Sequence, residues 1–368
     1  MLELILARYF EVNVFRYITF RGAGAALTSF VFALAVGPSW IRLLRRGRVG
    51  EVIESSPSDK VREMHAHKEG TPTMGGFLIL VGTILSTVFW AKVGNLYVAM
   101  GLITILLMGG LGFVDDYFKL IRRPGRGLTK REKLIAQILI SAGVGVVLMR
   151  VMGSLQVNYL PGTGTDLFFP FFKNVFVPLG ILFIPLVVLV MVGTSNAVNL
   201  TDGLDGLAAG CAVMATLAFV AISYVVGHAV LSRYLFVFYV PGAGELAILC
   251  AALAGGTLAF LWYNCYPAQI FMGDTGALAI GGVLGYVAVV TRQEIMLFFI
   301  GGVFVAEALS VIIQTYYFKL TGGKRFFRCA PLHHHFELKG IHEVKVVVRF
   351  SIVAALCAIF SLAMLKLR

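Results

Sequence analysis

Ten apolar runs of near membrane-spanning length follow one another along this chain, and no water-soluble fold can hide them all. They lie near 22–42, 72–91, 96–114, 134–152, 174–194, 200–226, 243–263, 276–291, 295–318 and 346–366. A bilayer core about 30 Å thick needs roughly 20 such residues per helix. Composition agrees: 58% of the 368 residues are hydrophobic and 14% charged. Soluble domains carry about a quarter charged residues. The expectation is an all-α polytopic membrane protein of about ten helices, forming a single transmembrane domain over 1–368.

The loops between these runs are unequal in charge. Stretches 42–71, 115–133 and 319–349 carry seven Lys or Arg each, out of 31 in the chain. By the positive-inside rule they are cytoplasmic, together with the turns near 195–202 and 264–275. Ten spans then put both termini outside. The loop 153–173, with Phe168, Phe169, Phe171 and Phe172, falls on the external face, its aromatics at the interface. The net charge of +12 is explained by these loops, and nucleic acid is not an expected partner. The N-terminus does not read as a cleavable signal. The five cysteines form no C-x-x-C pair and predict neither a disulfide framework nor a zinc site. Asn199-Leu-Thr201 matches a glycosylation acceptor, but on the cytoplasmic side it would not meet that machinery.

Several of the 19 acids cluster at span ends of this same face. Asp115 and Asp116 sit at the C-terminal end of the third run, the unfavourable end of a helix dipole for negative charge. Repulsion between neighbours adds to the cost, so Lys119 or a metal cation must offset it. The turn into the sixth run reads Asn196-Ala-Val-Asn-Leu-Thr-Asp-Gly-Leu-Asp-Gly206. Asn199 is a candidate N-cap there, and Asp202 and Asp205 share a face if the helix has begun. Its glycines would let backbone approach a ligand closely. Asp274, entering the eighth run, reads alone as an ordinary helix cap. Taken together, five carboxylates on one membrane face suit Mg²⁺.

Basic and imidazole groups join them. Lys68 precedes Thr71-Pro-Thr-Met-Gly-Gly76, with Thr73 and exposed amides at a helix start. Lys119, Arg122, Arg123, Lys130 and Lys133 follow the acid pair; Lys119 and Lys133 are candidate phosphate clamps. His333, His334 and His335 are suited to donate to phosphate or to shuttle protons. Glu307, inside the ninth run, is either a functional acid or a hydrogen-bonding group between helices. A transporter would hold its ionisable groups near the midplane in paired halves, and a scaffold has no reason to gather them on one side. Acids for a metal and bases for phosphates at a membrane surface indicate phosphoryl-group chemistry between a soluble donor and a lipid acceptor.

Five segments occur in order: Thr71-Pro-Thr-Met-Gly-Gly76, Asp115-Asp-Tyr-Phe-Lys119, Asn196 to Gly206, Phe271-Met-Gly-Asp-Thr-Gly276 and Pro331-Leu-His-His-His-Phe-Glu337. Over essentially its whole length the chain resembles the bacterial phospho-N-acetylmuramoyl-pentapeptide transferases, the MraY family. The wider polyprenyl-phosphate hexose-1-phosphate transferases share the Asp-Asp and Asn-x-x-Asp-Gly-x-Asp-Gly elements. The His triplet and the Thr-Pro-Thr-Met-Gly-Gly start favour the muramoyl branch over N-acetylglucosamine-1-phosphate transferases. The resemblance implies UDP-N-acetylmuramoyl-pentapeptide as donor and undecaprenyl phosphate as acceptor, with lipid I and UMP as products of peptidoglycan synthesis. It implies a Mg²⁺-dependent homodimer of the bacterial inner membrane. Asp274 would bind Mg²⁺, and Asp115 or Asp116 would deprotonate the lipid phosphate or, in a two-step route, attack the donor. Gly203, Leu204, Asp205 and Phe271 would form the uridine pocket. Lys68, Thr73, Asn199, Asp202, Gln314, His333 and His334 would line the remainder, with His333 among the catalytic groups.

Overall fold

The computed structural model describes residues 13–46, 68, 70–121, 127–160, 162–170, 172 and 175–366. Most of the first basic loop, Arg122, Arg123, Phe171 and both chain ends lie outside the described residues. The first half of the fold contains α1 (Ile18–Arg46), α2 (Gly76–Trp90), α3 (Leu96–Ile121), α4 (Lys130–Met152) and α5 (Phe183–Thr201). It continues with α6 (Leu207–Val226), α7 (Ala229–Leu235), α8 (Leu246–Asn264), α9 (Gly273–Val290) and α10 (Glu294–Ile300). The last elements are α11 (Gly302–Leu320), α12 (Leu332–Glu337) and α13 (Glu343–Met364). One antiparallel hairpin, β1 (Leu167–Phe168) with β2 (Phe176–Val177), is the sheet among the described residues.

Nine helices among the described residues are long and apolar enough to cross a membrane, where the sequence predicts ten. The shortfall is α2. It has 15 residues, about 22 Å of rise, against the predicted run 72–91. Its expected first turn is extended instead: Pro72 lacks a donor and Met74 sits at φ 72°. That stretch pairs with the start of α9 through Phe271 N–H to the Pro72 carbonyl (2.8 Å), Gly75 N–H to the Phe271 carbonyl (2.8 Å) and Gly76 N–H to the Met272 carbonyl (2.9 Å). Two further boundaries shift. The fifth run starts at Phe183 and not near 174, because β2 and a 3-10 turn (Gly180–Leu182) take up its beginning, and it runs on to Thr201, with the sixth beginning at Leu207. The ninth run breaks at Gly301 into α10 and α11.

The buried centre is α9, packed between α3 and α5, with α2 and α6 also against it. Small residues bring these helices together, as they do where lipid supplies no hydrophobic drive. A Cβ on Gly76 would come within 2.1 Å of the Gly276 backbone, and one on Gly112 within 2.2 Å of the Asp274 carbonyl. The outer helices present Leu139, Leu189, Leu320 and Leu356 largely exposed, a surface suited to hydrocarbon. Two buried ion pairs sit far from the start of α9. Arg21 of α1 pairs bidentately with Glu245 (2.8 and 2.6 Å), and Arg292, just past the end of α9, pairs with Glu294 (2.8 Å).

Candidate active site

The opposite end of the bundle collects the chemistry. Here α3, α5, α8 and α11 end, and α2, α4, α6, α9 and α13 begin. Asp116 projects from the end of α3 onto the start of α9. Its carboxylate accepts the Asp274 N–H (3.1 Å), the Thr275 N–H (3.0 Å) and the Thr275 hydroxyl (2.7 Å). A side chain from another helix therefore caps α9, and Asp274 is not the ordinary cap that it resembles when read alone. This also explains how Asp116 tolerates the C-terminal end of its own helix: it sits on the positive end of the next one. Gly273, at φ +72°, makes the approach possible, since a Cβ there would fall 2.6 Å from the Asp116 carboxylate and 3.0 Å from the Thr73 hydroxyl.

Asp115 is engaged differently. One oxygen accepts the Leu128 N–H (2.6 Å), tying the entry of α4 to α3. The other faces the ammonium of Lys119 (3.1 Å) and, further off, that of Lys133 (3.7 Å). Both lysines reach Asp274 more closely, at 2.6 and 2.9 Å, and the Asn199 amide donates to the other Asp274 oxygen. Three buried carboxylates thus meet two ammonium groups and one amide. Asn199 belongs to the last turn of α5, so it is not the N-cap of the sixth span; Gly206, at φ +84°, holds that position. The helix has not begun at Asp202 and Asp205, which lie in the connecting turn.

That turn is pinned from below. Gly206 N–H donates to the Asn264 side chain (3.0 Å), whose amide bonds to the Ile270 carbonyl (2.9 Å). The Asp205 carboxylate accepts the Lys68 ammonium (2.7 Å) and the Ala268 N–H (2.9 Å). Lys68 also reaches Glu343 at 2.5 Å. Burial alone would depress the Lys68 pKa, but Glu343 and Asp205 outweigh it and hold the ammonium above its usual 10.5. Leu204 is buried, and Phe271, Thr73 and Asp202 are half-buried around the same region.

His333 packs against this turn. A Cβ on Gly203 would lie 2.3 Å from its Nε2, so the glycine makes room for the imidazole. Glu307 hydrogen-bonds to this segment: it accepts the His333 N–H (3.2 Å) at the first turn of α12, and its carboxylate lies 3.2 Å from His333 Nδ1. His334 touches the His333 ring at 4.2 Å between centroids and pairs with Glu337 (2.7 Å). His335 and Gln314 serve the adjacent loop. His335 Nδ1 accepts the Arg328 N–H (3.1 Å), and the Gln314 carbonyl accepts the Phe327 N–H (2.8 Å).

Sequence reasoning passed over a second layer. Gln137 of α4 donates to Ser195 (3.1 Å) and accepts from Asn196 (3.0 Å), locking α4 to α5 one turn beyond Lys133 and Asn199. Polar groups inside apolar runs were the available signal. Beside Asp115, α3 and α4 enclose an open apolar groove of about 680 Å³, lined in part by Leu107, Gly110, Val114 and Leu128.

Among the described residues no three His, Cys, Asp or Glu side chains form a ready metal cage. The donor chemistry nevertheless fits a hard cation. Asp115 and Asp274 converge on the same two ammonium groups, and Mg²⁺ commonly takes one or two carboxylates with water and substrate phosphate completing its shell.

Residues 98–292 match the family model described as glycosyl transferase family 4. The whole chain is 50% identical to the phospho-N-acetylmuramoyl-pentapeptide-transferase of Citrifermentans bemidjiense, covering 99% of that protein. The enzymes of the same name from Maridesulfovibrio salexigens and Thermodesulfovibrio yellowstonii are 47% and 48% identical over 97% of this chain and 96% of theirs.

Proposed function

The chain belongs to the phospho-N-acetylmuramoyl-pentapeptide transferase family, and on that footing we propose how its residues carry out lipid I synthesis. The donor is UDP-N-acetylmuramoyl-pentapeptide and the acceptor undecaprenyl phosphate. An acceptor phosphate oxygen attacks the sugar-bearing phosphorus of the donor. The bond from that phosphorus to the oxygen of the UMP phosphate breaks, and UMP leaves. The observation that carries this reading is the convergence of Asp115, Asp274, Lys119 and Lys133 at the mouth of an apolar helix bundle.

The two adjacent acids divide the work. Asp116 is occupied in capping α9 and therefore positions Asp274. Asp115 has an oxygen turned toward the lysines and away from any helix cap, and takes the proton when the acceptor phosphate arrives protonated. Lys119 and Lys133 reduce repulsion between two anionic reactants by exchanging their carboxylate partners for phosphate oxygens. Asp274, with Asp115 beside it, would hold Mg²⁺, which when bound supplies positive charge against the phosphates. The turn carrying Gly203, Leu204 and Asp205, with Phe271, receives the uridine, and His333 and His334 flank the diphosphate. The apolar groove next to Asp115 supports an acceptor with an apolar tail. The basic loops support a site on the cytoplasmic face of the inner membrane with both termini outside, and the family resemblance supports a homodimer.

The direct test is product formation by the detergent-purified protein given both substrates, with Mg²⁺ or with EDTA. Lipid product and UMP are expected only with Mg²⁺. Turnover of UDP-N-acetylglucosamine in place of the muramoyl donor would move the chain to the sister branch. No product with either donor would overturn the reading.

A further inference from the structure

Glu343 begins α13, a helix that otherwise runs through apolar residues. An acid in a first turn ordinarily does no more than complement its own helix dipole. Glu343 does something else. It is buried, and its Oε1 accepts the N–H of Asp205 at 2.8 Å, from a turn 138 residues earlier in the chain. The same oxygen takes the Lys68 ammonium at 2.5 Å. The local capping of α13 is left to His342, whose Nδ1 accepts the Val344 N–H (3.3 Å).

The consequence is that Asp205 is held at both ends. Glu343 fixes its backbone, and Lys68, itself held by Glu343, fixes its carboxylate together with the Ala268 N–H. Three elements meet on one oxygen: the segment at Lys68, the 202–206 turn and the start of α13. A buried carboxylate shared between a cation and a backbone donor is costly to disturb: its removal takes the acceptor from the Asp205 N–H and leaves Lys68 with one carboxylate where it had two. The position of the Gly203–Asp205 backbone therefore depends on a residue at the far end of the sequence.

We propose that Glu343 is a positioning residue for donor recognition, setting the turn that receives the nucleotide without touching the reacting phosphates. This rests on the assignment of that turn to the uridine, so its test must be separable from that assignment. E343A removes both interactions, whereas E343Q keeps an oxygen for the Asp205 N–H and loses the charge facing Lys68. E343A is expected to raise the donor KM about ten-fold or more, with kcat within about three-fold and acceptor KM unchanged. E343Q is expected to raise it about three-fold. Inhibition by UMP alone should weaken in parallel in both variants. That readout involves only the nucleotide, so a loss of active protein would not move it.

Donor KM and UMP inhibition at wild-type values in E343A would overturn the proposal. So would a fall in kcat with both KM values unchanged, which marks a purely structural residue. If E343A does not fold in detergent, the near-isosteric E343Q decides by the same two readouts, and wild-type values there overturn the proposal. A wild-type protein that turns over the donor but is not inhibited by UMP would instead displace the uridine assignment and leave the Glu343 contacts to be explained otherwise.

Discussion

Asp115 and Asp116 are neighbours of one residue type, yet their surroundings make them chemically unlike. Asp116 spends its carboxylate on three donors at the start of α9. Asp115 shares its own between one amide and two ammonium groups. Replacing each by asparagine should separate the roles. Asp115→Asn and Asp274→Asn are expected to leave a folded protein with turnover reduced at least about 100-fold, the scale of lost acid–base or metal catalysis. Asp116→Asn should lower turnover too, but it should also cost about 1 kcal/mol of stability, because the amide keeps one acceptor oxygen where the carboxylate uses two. Turnover and thermal unfolding measured on all three check this. Near-normal turnover in all three removes the mechanism. Unchanged unfolding of Asp116→Asn removes the capping role. The acid pair and its lysines were legible from the sequence because carboxylates at the ends of apolar runs are out of place. Their division of labour was not, because the cap comes from a helix 158 residues away.

Among the elements, α12 and the loop before it show how a motif splits on folding. The three consecutive histidines read as one unit in the sequence. In the fold, His333 and His334 turn toward the 202–206 turn and Glu337, and His335 turns to the loop. Partial burial, with Lys339 and Arg328 nearby, holds the His335 pKa below its ordinary 6.5. The neutral ring is the one that accepts the Arg328 N–H. Its contribution to stability is therefore present above pH 6.5 and is lost as pH falls through the depressed value. Unfolding temperature measured between pH 7.5 and 5 should drop less in His335→Asn than in the wild type; an equal drop would remove this group as a source. The same scale contains the α4–α5 lock. Gln137→Leu removes one hydrogen bond each from Ser195 and Asn196, which keep the Leu278 and Val192 carbonyls, and should cost about 1–3 kcal/mol, read from denaturation in detergent. A wild-type midpoint would show that the pair of helices is held by packing alone.

For the whole molecule, the helices alternate so that the acid, lysine and histidine motifs gather at one end and the Arg21–Glu245 and Arg292–Glu294 pairs sit toward the other. The positive-inside rule assigns the first end to the cytoplasm. Cysteines introduced at Lys324 and at Gly162 in a background without exposed cysteines check this in intact cells. A membrane-impermeant thiol reagent should label the second and not the first, and the reverse pattern would invert the assigned orientation.

What the sequence determined by itself was the membrane class, the number of long apolar helices to within one, the uneven charge of the loops and most of the polar residues that the fold gathers at one end of the bundle. These follow from local quantities: length of apolar run, charge per loop, and polar groups where hydrocarbon is expected. Tertiary structure alone decided that α2 is short, that Asn199 belongs to the end of α5, that Asp116 caps α9, and that Glu343 reaches Asp205. Each depends on contacts between residues far apart in the chain. The apolar pattern specifies which face of a helix is buried. It does not specify which neighbour that face meets or at what height, and it is that height that brings a carboxylate of one helix onto the first turn of another.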